Sequence, residues 1–298
     1  MLYDCAIIGG GPAGLNAALV LGRGRKEVLL FDDNTPRNAV TQESHNFITR
    51  DGIKPADFKK AAHADLKKYP SISLQKERVL DIKQNSSSFH IQTESGQGYE
   101  AKKIILATGM KDILPDIEGI HDVFGTSLFG CPFCDGWELK DIPLVYIADQ
   151  KHAFHGVRML SNWNRDIVIC TNGKEIFSSE EKDILAQKQF QVVEDEILRI
   201  ERENGQLKSV QFKNGNSLHR EAGFVAHDMQ QATPFAERLG LELNDLGGIK
   251  IDSHNRTSLK GVYACGDSTF ALFQLVIAAS EGSKAAISVI SDFVDEMF

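Results

Sequence analysis

Apolar and polar positions along the chain spell out the same plan twice. YDCAII (3–8) is a short apolar, β-prone run that stops at GGGPAG. NAALVLG follows, and small residues at Ala13, Ala17 and Ala18 predict a helix suited to lying close on a sheet. EVLLFDD (27–33) reads as a second strand ending in two acids. SISLQKERVLDIKQ (71–84), SFHIQTES (88–95) and YEAKKIILAT (99–108) predict a meander. The order then returns. PLVYIAD (143–149), a helix containing GVRMLSNW, and DIVICTNG (166–173) precede a second meander, FQVVEDEILRIERENGQLKSVQF (190–212), in which Asn204-Gly205 marks a hairpin turn. GFVAHD (223–228) closes this copy. The strand GVYACGDST (261–269) and a long helix over FALFQLVIAASEGSKAAISVISDF complete the first one.

The glycines carry chemistry. Gly9, Gly11 and Gly14 fit G-x-G-x-x-G between a strand and a helix, and Asp32 and Asp33 end the next strand about twenty residues on. Gly9 permits the tight turn, Gly11 lets backbone approach a pyrophosphate, and Gly14 lets helix and strand pack closely. The helix start offers N–H groups and a positive dipole end to phosphate, and the acid accepts hydrogen bonds from ribose hydroxyls. The fold class is therefore α/β, with two Rossmann-like, three-layer ββα nucleotide-binding domains. The second is inserted in the first, so the expected domains are 1–115 with 246–298, and 116–245.

Composition narrows the partners. A net charge of −8 over 298 residues leaves no basic footprint for nucleic acid and no polybasic segment for a membrane surface. No apolar run reaches spanning length, and MLYDCAIIGGGPAG has neither the charged start nor the cleavage site of a signal peptide, so a cytoplasmic protein is expected. Of five cysteines, only Cys131 and Cys134 are close. A structural zinc site needs four ligands and usually two close pairs, which leaves redox chemistry for this one. Cys5, Cys170 and Cys265 lie in apolar runs and read as small buried hydrophobes.

GGGPAG, ATG (107–109), CPFCDG (131–136) and ACGD (264–267), in this order, resemble the low-molecular-weight thioredoxin reductase family over nearly the whole chain. The resemblance implies FAD. Gly11, Pro12, Ala13 and Gly14 would lie by its pyrophosphate, Asp32 by the adenosine ribose, and Asp267 by the ribitol. Gly9, Asp33, Thr108, Gly109 and Gly266 complete that set. Gln274 and Leu275 would begin a helix aimed at the pyrimidine end of the isoalloxazine. Asn46 falls where the family places an asparagine beside the flavin. Arg37 and Asn38 are expected near the adenosine end, with turn chemistry as the plainer alternative. Cys134 is expected to face the flavin and Cys131 to exchange with an outside dithiol or disulfide. Asp135, which matches the family's acid, would supply a proton to the departing thiolate. Phe133 is expected to shield the disulfide and Trp137 to pack. The family precedent is a homodimer acting on a thioredoxin-like protein.

One departure is sharp. In the family the inserted domain binds NADPH, yet here PLVYI is followed by ADQKHAFHG (148–156), whose lone Gly156 comes too late for the turn. CTNGKEIF (170–177) offers one lysine and one glutamate where arginines would meet a 2′-phosphate. The NADPH site is thus expected to be degenerate. His152 and His155 in the loop read as surface residues. CPFCDGWE, SNWNRDIVICTNG and DDNTPRNA resemble a branch that includes the dithiol oxidases of gliotoxin- and holomycin-type products; other branches without NADPH signatures take electrons from ferredoxin. A thioredoxin-like protein, a small dithiol or disulfide, ferredoxin and oxygen all stay open as partners, and so does a non-enzymatic FAD-containing binding protein.

Overall fold

The computed structural model describes residues 1–270 and 272–298. The chain forms two compact units, residues 1–39, 43–111 and 229–298 in one, and 40–42 with 112–228 in the other.

In chain order the first unit begins with Leu2–Ile8 (β1), Pro12–Arg23 (α1), Val28–Phe31 (β2), Pro55–Leu66 (α2), Ile72–Gln75 (β3), Val79–Gln84 (β4), Phe89–Thr93 (β5) and Gly98–Leu106 (β6). The chain leaves through Met110–Ile113 (β7). The second unit contains Ile120–Val123 (α3), Leu128–Phe129 (β8), Pro132–Asp135 (α4), Leu144–Ile147 (β9), Ala153–Leu160 (α5), Ile167–Cys170 (β10), Ser179–Gln187 (α6), Gln191–Val193 (β11), Ile197–Glu203 (β12), Gln206–Phe212 (β13), Ser217–His219 (β14) and Ala222–Val225 (β15). The chain returns through Asp228–Gln231 (β16), which pairs with β7, and ends with Phe235–Arg238 (α7), Val262–Ala264 (β17) and Leu275–Asp295 (α8).

The first sheet runs β3-β2-β1-β6-β5-β4, with β17 also on β6. Both faces of its central strand β1 are covered: Cys5 and Ile7 face a core with α1 and α8, whereas Ala6 and Ile8 face one with Ile82, Phe89 and Phe235. The second sheet runs β11-β10-β9-β15-β8, all parallel, and β12-β13-β14 form an antiparallel meander. Val145 and Ile147 of β9 pack toward that meander, and Leu144 and Tyr146 toward α5 and α6.

Three expectations change. SISLQKERVLDIKQ is two strands: β3 pairs in parallel with β2, and only β4 joins the meander. FQVVEDEILRIERE divides in the same way into β11 and β12. Continuous β-propensity hid both breaks, which fall at the charged steps Lys76–Arg78 and Glu194–Glu196. The return to the first unit comes at Met229, not 246, because Phe235, Ala236 and Leu241 are buried in the first unit's core; the outward boundary lies at Lys111/Asp112, not 115/116. The last helix starts at Leu275 with Gln274 as its N-cap, the start expected for it; Ala271 of the preceding FALF segment lies outside the described residues. Asn204 and Gly205 have φ of 53° and 78° and form the hairpin turn between β12 and β13.

Candidate functional site

The loop after β1 excludes side chains at two glycines and leaves space at a third. Gly9 has φ 114°, and a Cβ there would fall 2.2 Å from the Ala107 carbonyl oxygen. At Gly14 a Cβ would stand 1.9 Å from the Gly9 carbonyl oxygen. A Cβ at Gly11 would meet nothing within 4 Å, and this residue caps the N-terminus of α1, which begins at Pro12. That open space beside helix N–H groups suits a phosphate. Ala13 sits under α8: a Cβ at Gly282 would come 2.0 Å from its carbonyl oxygen, and one at Gly266 would come 2.8 Å from its Cβ.

Asp32 follows β2 and is buried. Its Oδ1 accepts from the Asn34 N–H at 3.0 Å, and its Oδ2 lies 2.5 Å from Nζ of Lys59 on α2. A Cβ at Gly10 would stand 2.3 Å from its Cγ. Sequence reading missed both neighbours. Lys59 lies on a helix outside the motif, and Gly10 is a free position within it. Asp33 makes other bonds, accepting from the Thr35 N–H at 3.2 Å, Thr35 Oγ1 at 2.6 Å and Arg78 Nε at 2.9 Å. Burial pushes its carboxyl up, but the Thr35 and Arg78 bonds outweigh that and hold it below its ordinary range.

Asp267 stands in a 3₁₀ turn, Gly266–Thr269, opened by Gly266 at φ 70°. Glu281 of α8, also missed, fixes this turn: its Oε2 accepts from the Gly266 N–H at 2.7 Å and from Thr269 Oγ1 at 3.2 Å. Asp267 accepts from Arg37 Nη2 at 3.0 Å, and the Arg37 guanidinium lies 5.3 Å from the Phe273 ring centroid. Arg37 is thus joined to the residue expected at the ribitol, whereas sequence placed it near the adenosine end. Asn38 is beside it in the 3₁₀ turn Arg37–Val40. Thr108 and Gly109 follow β6, and Gly109 has φ 71° with open space where a Cβ would stand. Asn46 has φ 63°, and its N–H donates to Asp51 Oδ1 at 2.9 Å. Gln274 caps α8 and Leu275 is its first residue.

In the second unit, Cys131 and Cys134 form a disulfide with Cα atoms 5.3 Å apart. The turn that brings them together is local: the N–H groups of Cys134 and Asp135 both donate to the Cys131 carbonyl oxygen, at 3.1 and 3.2 Å, as α4 begins. Both sulfur residues and Asp135 are half-buried. Phe133 packs edge-on against Trp163, with centroids 5.2 Å apart. Trp137 does not pack as expected; it is 67% exposed, with the Lys140 ammonium 3.4 Å from its ring centroid. Cys5, Cys170 and Cys265 are unpaired by disulfides and fully buried. Burial pushes their thiols up, that of Cys170 to about 12, which makes them inert toward exchange.

In the loop from β9 to α5, side chains stand where the first unit has glycines, and two of them bond to residues outside the loop. Ala148 is buried, Asp149 Oδ2 lies 2.6 Å from Lys174 Nζ, and Gln150 Nε2 donates to Asp228 Oδ1 at 2.8 Å. Gly156 is a packing glycine inside α5, since a Cβ there would fall 2.1 Å from the Tyr146 hydroxyl oxygen. After β10, Thr171 occupies the position that Asp32 holds after β2; it is buried, and its Oγ1 has no hydrogen-bond partner.

Residues 3–283 match the family described as pyridine nucleotide-disulphide oxidoreductase. The chain belongs to that family. It is 32% identical to the thioredoxin reductase AclD of Aspergillus oryzae, over 97% of this chain and 96% of that one. Among solved structures, a Bacillus anthracis protein provisionally named thioredoxin reductase TrxB superposes with a TM-score of 0.96 at 45% identity, over 99% of this chain and 100% of that one. HlmI superposes with a TM-score of 0.92 at 30% identity, over 99% and 93%. The protein is therefore a thioredoxin reductase-like oxidoreductase, and its family implies FAD. Among the described residues, no helix is long and apolar enough to cross a membrane.

Proposed function

We propose that the protein is an FAD-dependent thiol–disulfide oxidoreductase in which Cys131 and Cys134 alternate between disulfide and dithiol, without conventionally bound NADPH. The observation that carries this reading is the Cys131–Cys134 disulfide in a helical turn beside Asp135, within a chain whose first unit has the open glycine cradle. That cradle fits a dinucleotide: it is clear over Gly11 and offers a buried carboxylate at Asp32. Gly11, Pro12, Ala13 and Gly14 would hold the pyrophosphate, Asp32 the adenosine ribose and Asp267 the ribitol; Arg37 supports Asp267. FAD supplies a carrier for an electron pair.

The cysteines do the exchange. An external thiolate attacks Cys131 Sγ, the Cys131–Cys134 bond breaks, and Cys134 leaves as a thiolate. The second external thiol gives its proton to the Asp135 carboxylate, attacks the mixed disulfide as a thiolate and releases Cys131, to which Asp135 passes that proton. The substrate leaves oxidised and the pair is left reduced, as the Cys131 thiol and the Cys134 thiolate; the reverse sequence reduces a disulfide. A thioredoxin-like protein and a small dithiol share this chemistry, and ferredoxin is an alternative electron source. By family resemblance the enzyme is expected to act as a homodimer.

Anaerobic rapid mixing with NADPH, reduced ferredoxin and dithiothreitol tests the reading. Bleaching of the flavin band by a dithiol or ferredoxin, with a slow response to NADPH, is expected. Fast bleaching at micromolar NADPH overturns the donor assignment. Stoichiometric oxygen uptake with a dithiol identifies the oxidase direction.

A further inference from the structure

We propose that Lys59 completes the adenosine-ribose site, its ammonium and the Asp32 carboxylate together recognising a ribose hydroxyl; this rests on the FAD-dependent function proposed above. Lys59 stands on α2, outside the glycine motif, and its side chain reaches the end of β2. Its Nζ lies 2.5 Å from Asp32 Oδ2 and donates to Asn34 Oδ1 at 2.8 Å. The side chains of Lys59 and Asp32 are 15% and 9% exposed. An ammonium has three N–H groups, and among the described residues these two oxygens are the acceptors that Nζ meets. One N–H is left over beside the carboxylate.

The carboxylate has matching capacity. Oδ1 of Asp32 accepts from the Asn34 N–H at 3.0 Å and Oδ2 faces Lys59, whereas a carboxylate offers about four acceptor sites. The pair thus presents a donor and an acceptor side by side, and a hydroxyl is a group that uses both. It presents them at the glycine loop. A Cβ at Gly10 would stand 2.3 Å from Asp32 Cγ, so the carboxyl rests on the backbone one residue before the open position at Gly11. Asp33 bonds to Thr35 and Arg78 instead. A buried ion pair brings little net stability, because desolvation offsets the attraction. Recognition of a ligand accounts for a lysine that reaches from another element to this one carboxylate.

The test uses the full-length protein freed of flavin, with FAD uptake followed by fluorescence and with ADP and 2′,3′-dideoxy-ADP as competitors. The wild type is expected to prefer ADP by about tenfold or more, because the dideoxy nucleotide lacks both hydroxyls. Lys59→Met is expected to weaken FAD and ADP by about tenfold, the size of one hydrogen bond to a charged group, and to leave dideoxy-ADP within about twofold of the wild type. Lys59→Gln keeps a donor without the charge; it is expected to fall between the two and stands in if Lys59→Met does not fold. A folded variant that loses both nucleotides equally, or neither, overturns the inference, since a lysine acting only on the fold or on the phosphates does not distinguish ribose hydroxyls. A wild-type protein that binds both nucleotides alike also overturns it. A protein that takes up no FAD overturns the proposed function itself, and this inference with it.

Discussion

In the first unit the chain leaves β1 through Gly9, and in the second it leaves β9 through Ala148. The strand after the loop ends at a buried carboxylate in one case, Asp32, and at a buried hydroxyl in the other, Thr171. The sheets, flanking helices and meanders correspond. The loops do not: the first is open over Gly11, whereas Asp149 binds Lys174 and Gln150 binds Asp228 in the second. A fold is kept by its apolar faces, and those are intact in both units. A ligand site is kept by a few positions without side chains, and these can change while the core stays the same.

Under the proposed function, the second unit contributes its disulfide rather than a nucleotide site. Cys131→Ser and Cys134→Ser should therefore each remove dithiol–disulfide turnover, by about a thousandfold or more, as expected for residues that act as a unit. Both should still bind flavin. Steady-state oxidation of dithiothreitol or reduction of an aromatic disulfide measures this; substantial turnover in either variant breaks the assignment.

The next test is the second loop itself. Each missing phosphate contact should cost roughly 1.5–3 kcal/mol, the scale of a charge-assisted hydrogen bond. Two or three together weaken NADPH by about three orders of magnitude, since each 1.4 kcal/mol is tenfold. Half-saturation for NADPH in flavin reduction should therefore lie in the millimolar range or above. Asp149→Ala releases Lys174 and is expected to improve this by less than about tenfold, because one exposed ion pair is weak. Micromolar half-saturation in the wild type would erase the distinction between the units.

How much of this was legible in the sequence depends on whether a feature is local. The first glycine loop, the acids after β2, the hairpin at Asn204-Gly205 and the absence of a second glycine loop are all properties of a few adjacent residues. The cysteine spacing is legible for the same reason. Contacts that join distant segments were not legible: Lys59 on Asp32 and Glu281 under the Asp267 turn depend on how helices return to the sheet, and Arg37 on Asp267 on how two turns far apart in the chain meet. The division of SISLQKERVLDIKQ was hidden because both halves are β-prone and only their partners differ.

Single glycines sharpen the contrast. Gly14→Val places a branched side chain against the Gly9 carbonyl oxygen, at a point where even Cβ would be 1.9 Å away. We expect flavin content to fall by about a hundredfold in affinity, two lost or misaligned phosphate contacts at roughly 1.5 kcal/mol each. Gly156→Ala, in the second unit, would press on the Tyr146 hydroxyl oxygen at 2.1 Å. It should lower the unfolding temperature and leave flavin affinity unchanged. Equal loss of flavin from both variants, measured by absorbance after desalting, would mean that the two glycines do not serve different ends.

The smallest effect concerns what closes the first unit. Its last helix, α8, is 21 residues long, whereas α5 and α6 of the second unit have 8 and 9. Asp292 on α8 accepts from Arg256 Nε at 3.1 Å and Nη2 at 2.5 Å, and also from the hydroxyl of Tyr263 on β17. The Arg256 bonds, with smaller help from Tyr263, hold the Asp292 carboxyl below its ordinary value against the upward push of burial. A carboxyl with a depressed folded-state pKa contributes stability that is fully present above its unfolded value and is lost as pH falls through the folded one. The acid-sensitive part of this contribution therefore lies below about pH 4, the ordinary aspartate value. Asp292→Asn should cost about 1–3 kcal/mol at pH 7, the range for hydrogen bonds to a charged group. The difference from the wild type should shrink as pH falls toward 3. Thermal unfolding of the two proteins at several pH values measures it. A constant difference across that range would show that the Asp292 charge contributes nothing to how α8 is held on β17.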